Sequence, residues 1–138
     1  MAVRRFELRG RELLTQVIST AWVFVPQKAG ETAKAYEVRA LWDTGATHCQ
    51  VTPELAKKMG LRTLGQTDNN TAAGTMKSDV YQLGLVINEQ IFYPKLYFGV
   101  SNGSGRFDIV IGMNALQYGS FSLYGQGDNR TMVFDVGV

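Results

Sequence analysis

The sequence predicts an all-β fold, and three observations carry that reading. Alternating runs rich in β-branched and aromatic residues recur at short spacing along the chain. Fifteen glycines and three prolines are spread between them as turn punctuation. The 138 residues, 45% hydrophobic and 19% charged, have a globular composition; the length suits a single domain spanning residues 1–138.

The amino terminus is read first for targeting. Arg4 and Arg5 precede a moderately apolar stretch, but Glu7 and Glu12 interrupt the charge pattern and no small-residue cleavage site follows. No signal segment is assigned. No window reaches the roughly 18 apolar residues of a membrane span, so no membrane partner is expected. The single cysteine, Cys49, has no intramolecular disulfide partner, which suits a reducing compartment and a cytoplasmic location. A net charge of +2, without a basic cluster interleaved with aromatics, excludes nucleic acid as the expected partner.

The elements follow in order. Residues 13–25 read as one or two strands, residues 26–31 as a polar turn, and residues 35–42 as the returning strand of a hairpin. Gln50 and Val51 continue a short strand. Thr52, Pro53 and Glu54 are an N-cap, a first helical position and a first-turn acid; Leu55, Ala56 and Met59 share one face, and Gly60 stops a helix of about two turns. Residues 64–75 are polar, and the run from Thr71 to Thr75 holds small residues only. That composition fits a mobile hairpin tip or a backbone lying close to a ligand. Residues 78–87 and 91–100 are strands joined by a turn at Asn88, Glu89 and Gln90, and residues 101–105 form a loop. Residues 107–111 are a buried strand ended by Gly112, residues 114–118 a helical turn, and residues 120–124 and 131–136 a last hairpin. The terminal strand 131–136 is read as an edge free to pair with a second copy. Met1 and this hairpin finish suggest a separate unit rather than a piece of a polyprotein.

One stretch has the pattern of a reactive site. The apolar run Ala40-Leu41-Trp42 leads directly into Asp43-Thr44-Gly45-Ala46. An acid followed by a hydroxyl, a glycine and a small residue displays a carboxylate at a strand end, on a turn tight enough for backbone N–H groups to reach it. With Ile109-Val110-Ile111-Gly112 downstream and the small-residue hairpin between, the chain resembles the retropepsin-like aspartic proteases of retroviruses, retrotransposons and cellular relatives. The run Ala46-Thr47-His48 leading into Pro53-Glu54-Leu55-Ala56-Lys57-Lys58-Met59-Gly60-Leu61 is similar to retrotransposon-type members. The shared order covers residues 17–136.

The resemblance implies a closed β-barrel, the acid protease fold, with one or two short helices. It implies peptide hydrolysis by water held between two carboxylates that share one proton, with no metal and no cofactor. This chain carries one such motif, so the resemblance implies a homodimer with Asp43 of each subunit at the two-fold axis, acting on a peptide or protein substrate. Thr44 would then brace the two loops across the axis, and Gly45 would permit the turn and offer its backbone to the carboxylate or the substrate. Ala46 would lie against substrate backbone, and Ala73, Gly74 and Thr75 would form a closing flap. Ile109 and Ile111 would line subsites or pack beneath the catalytic loop.

The chain departs from viral relatives at Thr47 and Met113, where an acid and an arginine are usual, and at Trp42, where an aliphatic residue is usual. The other class of reading is a non-catalytic peptide-binding or dimerisation module on the same fold. His48 and Cys49 suggest a metal or nucleophile pair only superficially: adjacent strand residues point to opposite faces, and no second histidine exists. Both are read as structural. Asp108 is read as a hydrogen-bonded residue at the start of its strand rather than an accessory acid. Tyr93, Tyr97 and Phe98 are read as core or interface.

Overall fold

The computed structural model describes residues 3–10, 15–71, 74–101 and 105–137. In chain order these form β1 (Val3–Gly10), β2 (Val17–Phe24), β3 (Ala35–Trp42), β4 (Cys49–Val51), α1 (Pro53–Met59), β5 (Gly65–Thr71), β6 (Gly74–Val86), β7 (Phe92–Val100), β8 (Ile109–Ile111), α2 (Met113–Leu116), β9 (Ser120–Gln126) and β10 (Asn129–Gly137). The fold is all-β with two short helices. Seven strands run in the order β2-β3-β8-β4-β7-β6-β5, and pairing of Trp22, Val23 and Phe24 with Val86, Leu85 and Gly84 joins β2 to β6. That pairing closes the sheet on itself, with β5 attached outside the ring as the second arm of a hairpin.

Closure has a visible steric condition. The Phe24 ring lies directly over Gly84, so that any Cβ at residue 84 would collide with it. A missing side chain on one strand is thus covered by an aromatic ring from its cross-strand neighbour.

Alternation decides what each strand buries. In β3, Val38, Ala40 and Trp42 face the core, and in β2 the same holds for Val17, Ala21 and Val23. Helix α1 begins as its sequence dictates. Thr52 Oγ1 accepts from Leu55 N at 3.3 Å, Pro53 takes the first turn, and Gly60 at φ 64° closes the helix, donating to Ala56 and Lys57 carbonyls.

The second layer was not legible in advance. β1 pairs with β10 over eight register positions, and β10 pairs with β9, giving a three-stranded sheet β1-β10-β9. β10 is therefore central. The expectation of a free terminal edge at residues 131–136 is corrected: both of its edges are already hydrogen-bonded within the chain. The polar residues 65–71 form one arm of a long hairpin, β5–β6, and Gly74 and Thr75 open the other, in keeping with the hairpin reading of that segment; Ala72 and Ala73 lie outside the described residues. The strand expected at 107–111 is shorter, because Asp108 turns its carboxylate back onto β3 before the ladder begins.

Trp42 joins the two layers. Its ring is stacked on Phe6 of β1 (5.4 Å between centroids) and Phe121 of β9 (6.1 Å), and tilted against Phe134 of β10 (5.5 Å). These three phenylalanines stand at one register level of the small sheet. Trp42 Nε1 donates to Ser19 Oγ at 2.8 Å, which satisfies the one polar atom of the buried indole. The bulky residue before Asp43 is thus the contact that seats the small sheet on the barrel.

Midway along β3, Asp108 Oδ2 accepts from Arg39 N at 2.8 Å, and Asp108 Oδ1 faces Arg39 Nη2 at 3.2 Å. Partial burial pushes the Asp108 carboxyl up, but hydrogen bonds and charge from Arg39, with charge from Lys58, outweigh it and hold the group below the usual carboxylate range.

Trp42→Ala is expected to cost about 3–5 kcal/mol in urea unfolding, and Trp42→Phe, which keeps the stacking but orphans Ser19, about 1–2 kcal/mol. Equal losses in the two variants would show that the indole hydrogen bond, not ring packing, carries the contact. Asp108→Asn is expected to lower stability at pH 7 by about 1 kcal/mol, discounted for the exposed Arg39. Because the folded-state pKa is depressed, this contribution is present above the unfolded value near pH 4 and fades as pH falls through the folded value. Wild type and variant should therefore converge in thermal melts at the acid end.

Candidate active site

Asp43 stands where β3 runs out, and its surroundings are built from β8 and the segment after it. Asp43 N donates to Ile111 O at 3.0 Å, extending the parallel β3–β8 ladder by one residue. The chain then turns sharply. Gly45 N donates to Asp43 Oδ1 at 2.8 Å and Ala46 N to Asp43 O at 3.2 Å. A Cβ at Gly45 would sit 3.2 Å from that same carboxylate oxygen, so the bare glycine leaves the acid room to lie over the turn. The carboxylate stays partly accessible, and Thr44 beside it is exposed.

The loop is held from below. Gly112 lies so close to the backbone at His48 and Ala46 that a Cβ there would overlap the His48 carbonyl. The next residue ties the same loop, with Met113 N donating to Ala46 O at 2.8 Å. Asn114 adds a bridge that the sequence reading passed over: its Oδ1 accepts from Cys49 N at 2.8 Å and its Nδ2 donates to Tyr97 O at 2.9 Å. One amide side chain thus links the loop, α2 and β7. The only advance signal was an amide placed just after Gly112, where short polar side chains commonly bond to backbone.

Ile109 and Ile111 are at most 1% exposed. They lie in the main core cluster, which suits the packing role, one of the two expected, better than the substrate-lining one. Val110 between them points to the other face, outside the main core cluster. It is paired with Leu41 on one side and Gln50 on the other, and Gln50 is paired with Gly99. Asp43 follows Leu41 by two residues, so this row of side chains leads across the sheet from the acid's own face.

The row ends at a cavity of about 280 Å³ under the β5–β6 hairpin. It is lined by His48 and Gln50, by Thr67 and Asp68 of β5, by Val80 of β6 and by Tyr97 of β7. Two larger cavities, of about 450 and 440 Å³, lie against Arg9 and Arg130 and against Met59 and Tyr81, away from the Asp43 loop. Gly74 and Thr75 open β6 opposite Thr71 and Asn70, at the end of the hairpin remote from the barrel. Ala73 lies outside the described residues.

Cys49 and His48 separate as alternation requires. Cys49 is fully buried, and burial pushes its thiol up to about 11, so it remains protonated at neutral pH and is no nucleophile. His48 is exposed on the opposite face, and no group of three or more His, Cys, Asp or Glu is placed to hold a metal among the described residues. Tyr93 donates through its hydroxyl to Ala115 O at 2.9 Å and braces α2, while Phe98 is core and Tyr97 is 57% exposed.

Known proteins place this arrangement. The sequence model of the family described as "gag-polyprotein putative aspartyl protease" matches residues 31–118, which run from the turn before β3 to just past α2. A search of curated proteins returned no significant match. The fold is similar to that of a retropepsin-like aspartic protease from Rickettsia conorii, with a TM-score of 0.59 and 19% identity over 99% of this chain and 97% of that one. A simian foamy virus protease aligns over 72% of this chain and 93% of its own, with a TM-score of 0.48 and 18% identity. With Asp43, Gly45 and Gly112 placed as described and the family match spanning the site, the chain belongs to the retropepsin-like gag-polyprotein aspartyl proteases.

Proposed function

We propose that residues 1–138 form one aspartic endopeptidase domain that becomes active as a homodimer, with Asp43 of each copy contributing one carboxylate. The observation that carries this reading is the carboxylate itself: one acid, partly accessible, fixed by Gly45 N–H on a loop that Gly112 and Met113 hold in place. Peptide hydrolysis by water needs an acid and a base together, and one carboxylate supplies only one of them.

Two such carboxylates in contact hold one proton between them, since both cannot ionise at about 3 Å. The ionised one takes a proton from a water molecule as its oxygen attacks the scissile carbonyl carbon. The protonated one gives its proton to the carbonyl oxygen, leaving a tetrahedral diol. The newly protonated carboxyl group then gives its proton to the amide nitrogen while the other carboxylate takes one from a diol hydroxyl, and breakage of the C–N bond releases two peptides with one proton again shared by the pair. Thr44, exposed beside Asp43, is suited to brace the partner loop. Gly74 and Thr75, on the far arm of the hairpin, are suited to cover a peptide lying along the Leu41–Val110–Gln50 row, with Ala46 beside it. Such a peptide is held in extended form as a strand would be.

Asp43→Asn is expected to leave the far-ultraviolet spectrum and sedimentation coefficient unchanged and to remove cleavage of a mixed peptide library. Undiminished cleavage by the variant would sink the assignment, and a wild-type protein that binds peptides without cutting them would favour the non-catalytic module. Activity should fall toward alkaline pH as the pair loses its shared proton. A rate still climbing through pH 9 would exclude the shared-proton mechanism.

A further inference from the structure

On the protease reading, we propose that the cavity under the β5–β6 hairpin is a specificity pocket for a long basic side chain of the substrate, with Asp68 as its charge partner. Position comes first. The row from Leu41 through Val110 and Gln50 to Gly99 crosses three strand spacings, about 14 Å in all, and an extended peptide advances about 3.3 Å per residue. The pocket therefore meets a side chain about three to four residues from the bond at Asp43.

Size and chemistry narrow the guest. A volume of about 280 Å³ holds roughly nine waters and falls at the lower limit of pockets that enclose a whole small molecule, so it fits one large side chain. Val80, Val100 and the Tyr97 ring offer apolar surface to a run of methylenes, while Asp68 offers a carboxylate at the hairpin side. Asp68 has no ion pair to any described residue. Lys77, its cross-strand partner on β6, neither pairs with it nor lines the cavity. Asp68 and Thr67 stand at the exposed rim of the cavity, where an ammonium or guanidinium group gains a charge partner that an aliphatic guest of equal length does not. His48 is the other lining group that can carry a charge near neutral pH, and its positive form opposes a cation, so Asp68 and His48 pull the preference in opposite directions.

Cleavage-site profiling of a peptide library with wild type, Asp68→Asn and His48→Gln tests this. Wild type should favour lysine or arginine over norleucine at one position three or four residues from the cut. Asp68→Asn should reduce that preference by about fivefold in kcat/KM while leaving the ranking at other positions intact. His48→Gln should keep the basic preference or sharpen it. Cleavage with an unchanged profile in Asp68→Asn, or a wild-type preference for acidic or apolar residues there, overturns the pocket assignment alone. Absence of any cleavage by wild type overturns the protease reading together with it.

Discussion

The structure depends on one close crossing of backbone. The segment after β8 passes beneath the Asp43 loop at a distance that only a residue without a side chain permits, and Gly112 occupies that point. Once the crossing is made, the hydrogen bonds from Asp43 N to Ile111 O and from Met113 N to Ala46 O follow on either side of it. The acid is thereby fixed by two parts of the chain nearly seventy residues apart in sequence, through backbone atoms whose bonds do not depend on side-chain rotamers. That suits a group whose chemistry depends on where its oxygens lie relative to a second charge.

Around this crossing, the two layers divide the work. The barrel supplies position: β3 and β8 run parallel, and β4 lies beside β8, so that Leu41, Val110 and Gln50 share a register. The small sheet supplies cover, and Trp42 connects it to the residue that matters, since the indole and the Asp43 carboxylate are neighbours in sequence on opposite faces of the strand. Packing on one side of β3 therefore holds the other side still. Asn114 repeats the device on a smaller scale by fastening the loop to β7.

Much of this was legible because local rules sufficed. The strand Ala35–Trp42 and the helix Pro53–Met59, with Thr52 and Gly60 as its caps, follow from alternation and capping chemistry, which involve only near neighbours. Asp43 and Gly112 were visible as motif residues, although their contact was not. In β1, Phe6 and Leu8 alternate with Arg5, Glu7 and Arg9, the pattern of a strand with one wet face, but three charges in five residues mask it and its partner lies far away in sequence. The centrality of β10 could not be read from its own residues, since it depends on a partner from the other end of the chain. Val110 escaped notice because a three-residue apolar run does not reveal which side chain faces away from the core, and the cavity beside His48 and Asp68 arises only when β5–β6 folds over β4.

The small sheet also fixes an order of events. Its middle strand is the last of the ten and β1 is the first, so the pairing of Val3 with Gly137 and Phe6 with Phe134 joins strands far apart in sequence. Contacts of such wide sequence separation form late and slowly. Until β10 is in place, the face of Trp42 that Phe134 covers stays bare and β1 has no strand to pair with. The residue beside the acid therefore gains its cover only when the two outermost strands of the fold have met, and the Asp43 loop gains its full backing with it.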